Sequence, residues 1–191
     1  MGVMDDAERF EPATVQEWSD WLERNHDRVP GVWLVTPRRA TATPTVDYDT
    51  AVVEALRFGW VDATVKTLDE HRAMQWFAPR KPTSGWASSN KQRIERLRSE
   101  GRLEPAGERA VQIAHENGTW TMYDDVEALV VPPDLEAALE ARPGARGTWD
   151  GFSPSARRLM LTWLIQAKRA ETREKRLHEI ADKAANGEKA R

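Results

Sequence analysis

An α+β fold is predicted: a small antiparallel or mixed β-sheet packed by N-terminal helices, followed by a mainly helical C-terminal region. Three observations predict it. Residues 31–36 and 60–66 alternate their side chains with the period of two that a strand requires. Apolar residues recur three and four apart in the stretches after Thr14, Asp47, Ser89, Pro105 and Ser153, the spacing of one helix face. Glycine or proline closes most of these stretches, so the elements have identifiable ends.

Thr14 caps a first helix in which Val15, Trp18, Trp21 and Leu22 share a face, ending near Asn25, His26 and Asp27. Residues 31–36 form a strand with Val32 and Leu34 on one side and Trp33 and Val35 on the other, before a Pro- and Thr-rich loop at 37–45. Asp47 caps the next helix, which turns Val52, Ala55 and Leu56 inward and stops at Gly59. Val61, Ala63 and Val65 alternate with Asp62 and Thr64, and residues 72–78 return across a turn near 68–70. This predicts a hairpin that joins strand 31–36 in one sheet.

Ser89 and Gln92 stand at capping-box spacing and open a helix with Ile94 and Leu97 inward and Gly101 as its stop. Pro105 suits the first turn of another, which buries Ala110, Val111, Ile113 and Ala114 and ends at Gly118. Pro132 and Pro133 start a short helix through Leu135, Ala138 and Leu139 that Pro143 terminates. Ser153 and Pro154 begin the last helical region, with Ala156, Leu159, Met160, Trp163, Leu164 and Ala167 as its stripe. Charged residues occupy the stripe between Lys168 and Arg176, which predicts a break near 169–172, and Leu177, Ile180, Ala181 and Ala184 resume it. The expected organisation is a flexible N-terminus at 1–13, a domain at 14–187 with an α/β part (14–86) and a helical part (87–187), and a tail at 188–191.

Composition narrows the function classes. With 40% apolar and 31% charged residues over 191 positions, the chain buries a core and carries a heavily charged surface. Nine tryptophans run from Trp18 to Trp163, a spread that reads as core packing and not as one aromatic belt. The absence of cysteine removes disulfides, thiol nucleophiles and thiolate metal sites. His26, His71, His115 and His178 are far apart, so no metal site is expected, and no cofactor is implied. Asp5, Asp6 and Glu8 stand where a signal peptide would be basic and then apolar, and no run approaches the ~20 apolar residues that cross a bilayer. A cytoplasmic protein is expected. A net charge of −3 gives no global attraction to nucleic acid.

No phosphate loop, dinucleotide fingerprint, zinc-protease helix or nucleophile elbow occurs, so no catalytic residue is assigned. The best local candidate is the stretch Pro79-Arg80-Lys81-Pro82-Thr83-Ser84-Gly85-Trp86, which delivers two cations and a hydroxyl to the start of a helix. Arg80 offers a planar fork, Lys81 a point charge and Trp86 a stacking wall, which suits a phosphate or carboxylate. Ser84, Asn90 and Asp62 complete the candidate set. The competing structural reading pairs Arg80 with Asp62 or Glu54 and lets the prolines hold the loop. The helices at 89–118 also invite comparison with a helix-turn-helix, but Glu95, Glu100 and Glu104 offset their cations, which fits an ordinary hairpin. Basic residues outnumber acidic ones between Lys168 and Arg176, where Glu171 and Lys175 stand i,i+4 on a solvated face.

The chain resembles the YdeI/OmpD-associated family, also called bacteriocin-protection proteins. The resemblance rests on Trp21-Leu22 with Asn25-His26, Gly31-Val32-Trp33-Leu34, Tyr48, and the run from Ala51 to Asp62. It continues through Pro79-Arg80-Lys81-Pro82, Ser84, Trp86, Asn90, Lys91, Gly101-Arg102-Leu103, Pro105-Ala106-Gly107 and Ala167-Lys168-Arg169-Ala170-Glu171-Thr172-Arg173. Val61 stands where the family commonly has isoleucine and Leu103 where it often has methionine. The resemblance implies a small bacterial stress or resistance protein linked to protection against bacteriocins or antimicrobial peptides, with no established catalytic residues.

The leading expectation is therefore a non-enzymatic resistance protein that binds a small anionic ligand or a protein partner at Arg80, Lys81, Ser84, Trp86, Asn90 and Asp62. Two alternatives stand beside it: an enzyme using Glu54 or Asp62 as acid or base next to Arg80, and nucleic-acid binding through the basic helix faces.

Overall fold

The computed structural model describes residues 2, 4–38 and 46–190. The expected loop at 37–45 therefore lies largely outside the described residues. The chain divides into two compact units, Met1–Thr121 and Met122–Arg191.

The first unit is α+β. Strands β1 (Arg9–Phe10), β2 (Val32–Pro37), β3 (Trp60–Thr67) and β4 (Arg72–Pro79) form one sheet in the order β1-β2-β4-β3. β1 runs parallel to β2, while β4 is antiparallel to both β2 and β3. The hairpin is as expected, with a register shift between Asp62 and Val65, and β4 is the strand that joins it to β2. Strand β1 had no sequence signal because two residues are too short to show a period. It gives the stretch expected as a loose N-terminus a place on the sheet: the Trp33 Nε1 donates to the Met4 carbonyl at 2.8 Å, and the Trp33 N–H to that of Glu8 at 2.9 Å.

Alternation along β2 sorts its side chains between two apolar clusters. Val32 and Leu34 join Trp18, Leu22, Val52, Leu56, Trp60 and Phe77 on the helix-covered face. Trp33 and Val35 pack with Met74 and Trp76 on the other, against Met4 and Ala7. Helices α1 (Val15–Asn25) and α2 (Tyr48–Arg57) start at the expected caps, Thr14 accepting from the Glu17 N–H and Asp47 from that of Thr50. Gly59 follows α2 with φ 74°, the left-handed conformation that ends a helix without a Cβ penalty.

Helices α3 (Ser88–Ser99) and α4 (Pro105–Glu116) belong to this unit. The reason is packing: Ile94, Leu97, Val111 and Ala114 enter the same core as Trp18 and Leu56. The capping box at Ser89 does not form. Ala87 is the N-cap, with extended backbone and no side-chain cap bond, which places Ser89 inside the first turn. Ile113, expected inward, is 41% exposed, and Ala110 is half-buried. Gly107 sits where α4 crosses the end of α2: a Cβ there would lie 2.4 Å from the Arg57 carbonyl oxygen and 2.9 Å from that of Leu56.

The second unit is all helical: α5 (Asp124–Glu127), α6 (Pro133–Glu140), α7 (Ala145–Gly151), α8 (Pro154–Ile165) and α9 (Ala170–Ala185). Leu135, Leu139, Trp149, Met160, Leu164, Ile180 and Ala184 form its core. The short helices α5 and α7 carry too few turns for a readable stripe. Ser153 caps α8 as expected, and the break in the last region falls at 166–169, slightly before the expected position. Seven of the nine tryptophans are buried, while Trp120 and Trp163 are half-buried, so the aromatic content is distributed packing.

Candidate functional site

The loop 80–87 leaves β4 and enters α3, and the chain's own groups fasten it. The Arg80 N–H donates to the Gly59 carbonyl at 2.9 Å, and the Ser84 N–H closes a turn on the Lys81 carbonyl at 2.9 Å. The Pro82 carbonyl accepts from Asn117 Nδ2 at 2.8 Å and from Thr119 Oγ1 at 3.3 Å, while the Trp86 N–H donates to the Thr119 carbonyl. The turn that Gly118 makes after α4 is thus the clamp on this loop. Pro82 has no backbone donor, so it is held through its carbonyl by side-chain donors, while the Arg80, Ser84 and Trp86 N–H groups fasten the rest of the loop.

Trp86 is buried, and the Arg80 guanidinium stacks on its ring, Cζ 3.8 Å from the centroid, while Nη2 donates to the Gly85 carbonyl. Trp120 packs beside Trp86 at 5.1 Å between centroids and beside His115 at 4.7 Å, and the Lys91 ammonium lies over Trp120 at 5.5 Å. Two cations are therefore seated on adjacent aromatic faces. Arg80, Lys81, Trp86, Ala114 and Thr119 surround a cavity of about 20 Å³. That space takes roughly one water, where small-molecule pockets run from about 300 Å³ upward. Arg80 Nε and Nη1 are buried and Lys81 is exposed, so the lysine is what the arrangement presents at the surface; it does not enclose a metabolite.

Of the six residues expected at the site, Arg80, Lys81 and Trp86 meet around this cavity, with Ser84 in the turn beside them. Asp62 and Asn90 are engaged elsewhere. Asp62 Oδ2 accepts from Tyr48 Oη at 3.1 Å and from Gln75 Nε2 at 2.8 Å. Desolvation and then the Asp62 charge raise the Tyr48 phenol above its ordinary value. Asn90 Oδ1 accepts from Arg93 Nη1 at 2.9 Å, and the Arg93 fork also binds Asp49 at the start of α2. Asn117 and Thr119 escaped the sequence reading; their one signal was their position on either side of the helix-stopping Gly118.

Glu54 belongs to a different structure. It is 2% exposed, and its two carboxylate oxygens are taken by Arg57 Nη1 and Arg102 Nη2, each at 2.5 Å. Arg57 also donates to Ser19 Oγ at 2.9 Å, the Arg102 carbonyl at 3.1 Å and Glu104 Oε1 at 3.1 Å. This network ties α1 and α2 to the turn between α3 and α4. Glu54 is thus committed to Arg57 and Arg102, and Asp62 to Tyr48 and Gln75. Among the described residues no group of three or more His, Asp or Glu side chains could hold a metal ion. No described helix is long and apolar enough to cross a membrane.

Fold and site thus define an α+β protein with a helical second unit, whose distinctive surface is a cationic loop on an aromatic base. Residues 10–110, more than half of the chain, match the family described as Domain of unknown function (DUF8412), and residues 128–187 match the family described as Bacteriocin-protection, YdeI or OmpD-Associated. The chain belongs to the first family; the second match lies within the second unit, and of the residues that carry the resemblance it takes in 167–173, those from Trp21 to Gly107 falling in the region the first family matches. The latter match supports a bacteriocin-protection-like role. No curated protein and no solved structure matches the chain.

Proposed function

We propose that the protein is a non-enzymatic stress or resistance protein of the cytoplasm that engages an anionic group, borne by a small ligand or a protein partner, at the loop 80–90. One observation carries the reading: the Arg80 guanidinium lies over the buried Trp86 ring, Cζ 3.8 Å from its centroid, with the exposed Lys81 beside it. With Arg80 Nε and Nη1 buried, the exposed Lys81 ammonium is the group that meets the anion, and the restrained Arg80 charge beside it adds to the local positive field without losing freedom on binding. The one-water cavity favours an anionic group presented at the surface over an engulfed molecule.

The test separates binding from stability. Arg80→Ala removes the stack as well as the charge, so it lowers the melting temperature through a loss of about 0.5–2 kcal/mol. Lys81 is exposed, and Lys81→Ala leaves the melting temperature within about 0.5 kcal/mol of wild type. In a thermal-shift panel of phosphates, carboxylates and acidic peptides, wild type is stabilised by at least one anion and Lys81→Ala less. Protection of cells against bacteriocin or antimicrobial peptide falls in the same order. Equal responses of wild type and Lys81→Ala to every anion, with equal protection, remove the loop from the function.

A further inference from the structure

The second unit distributes its charge unevenly. Between Arg157 and Arg176 seven cations stand against two acids, Glu171 and Glu174, in a chain whose net charge is −3. Helical spacing puts Arg158, Leu159, Thr162, Trp163 and Gln166 on one side of α8. Arg158 is exposed, Leu159 is 49% exposed and Trp163 is half-buried. Arg176 continues this face onto α9: its Cζ lies 4.9 Å from the Trp163 ring centroid and its Nη1 donates to the Trp163 carbonyl. Along the Arg176 side of α9 follow Arg173, Thr172 and, at the N-cap, Arg169. Arg173 is held by Asp134 through bonds of 2.7 and 3.0 Å. Lys168 and Arg169 are exposed at the α8–α9 corner, and Arg158 and Leu159 are exposed about two turns earlier along α8.

We propose that this face docks on an anionic phospholipid bilayer. Its composition suits that occupant: cations meet headgroup phosphates while a leucine and an indole edge enter the boundary of the acyl chains. Charge complementarity alone would also admit a nucleic acid, but a phosphodiester backbone gives Leu159 nothing to pack against. Glu171 and Glu174, both exposed on α9, moderate the attraction, so the binding is reversible and salt-sensitive. Adsorption is to the surface, since no described helix is long and apolar enough to span. The inference rests on the second unit and is independent of the loop 80–90.

The experiment is sedimentation of the full chain with vesicles of phosphatidylglycerol or of phosphatidylcholine, at low and at high salt. The protein sediments with phosphatidylglycerol, does not with phosphatidylcholine, and is released by salt. Arg158→Glu combined with Arg169→Glu weakens binding about tenfold or more. Leu159→Ser weakens it by roughly threefold to tenfold. Both variants retain the wild-type circular dichroism, because all three side chains are exposed, and Lys81→Ala binds as wild type does. Failure to sediment with phosphatidylglycerol at low salt overturns the proposal, as does binding unchanged by the double reversal. An oligonucleotide bound by wild type but not by the double variant, with vesicle binding indifferent to Leu159→Ser, assigns the face to nucleic acid instead.

Discussion

Glu54→Ala removes a buried carboxylate on which two guanidiniums converge, and its effect can be worked from the geometry. Truncating one partner of a buried ion pair typically costs about 3–5 kcal/mol, because the remaining charge is left desolvated. Two features reduce that here. The Arg102 side chain is 41% exposed and can turn to water, whereas Arg57 keeps Ser19, Glu104 and the Arg102 carbonyl. What is lost is one strong charge-assisted bond to a side chain only 18% exposed, plus the cavity the carboxylate filled. The expected cost is about 2–3 kcal/mol. For a unit of this size each kcal/mol moves the midpoint by roughly 3–5 °C, so calorimetry should show the transition of the first unit about 6–15 °C lower. Arg102→Ala, which removes a half-exposed partner, costs less than Glu54→Ala. A Glu54→Ala midpoint within about 2 °C of wild type would refute the reasoning, for it would mean that the network stabilises nothing.

Gly107→Ala is expected to cost about 2–4 kcal/mol, measured by urea unfolding, because the added Cβ lands 2.4 Å from a backbone oxygen that no side-chain rotation can move; an unchanged midpoint would show that α4 can slide away from α2. The Arg173 hydrogen bonds, chiefly, hold the Asp134 carboxyl below its ordinary value, so the stability it contributes is present above the unfolded aspartate value near about 4 and is lost as pH falls through the folded one. Asp134 is 40% exposed, which limits the effect to under about 1 kcal/mol; Asp134→Asn should lower the neutral-pH midpoint slightly and flatten the acid decline, and parallel curves for the two proteins would count against the pair.

Local signals predicted the elements well wherever a cap or period was long enough to read. Thr14, Asp47 and Ser153 cap their helices because a side-chain oxygen there meets an otherwise unsatisfied N–H, a purely local relation. Ser89 satisfies the same pattern and fails. The burial of Trp86 fixes the chain one residue later as extended backbone, so Ala87 takes the cap position and tertiary packing overrides the motif. The assignment of α3 and α4 to the sheet unit was equally illegible. An inward stripe at Ile94 and Leu97 states that a core exists but not which one. Gly107 held the missing information, since a glycine in the first turn of a helix implies that another backbone lies close against it.

Part of the candidate set stays together in the structure for a related reason. Arg80, Lys81, Ser84 and Trp86 are near in sequence, so whatever the loop's shape they stay together, and reading them as a set needed no tertiary knowledge. Asp62 and Asn90 were added on the assumption that the hairpin and the helix start converge on Arg80, a long-range relation that sequence spacing does not encode. Their partners instead come from α2, where Tyr48 meets Asp62 and Asp49 meets the Arg93 that holds Asn90. The same distinction explains what the loop is built to do. Its shape is imposed from outside, by Asn117 and Thr119 on the Pro82 carbonyl, and its charge is imposed from within, by Arg80 lying on Trp86. Fixing the loop through its carbonyls leaves the Lys81 ammonium outside the clamp, and the ring beneath Arg80 restrains the guanidinium. A loop needed only to connect β4 to α3 would require neither device, which is why the cationic pair, and not the neighbouring prolines, is where the proposed anion binding is to be tested.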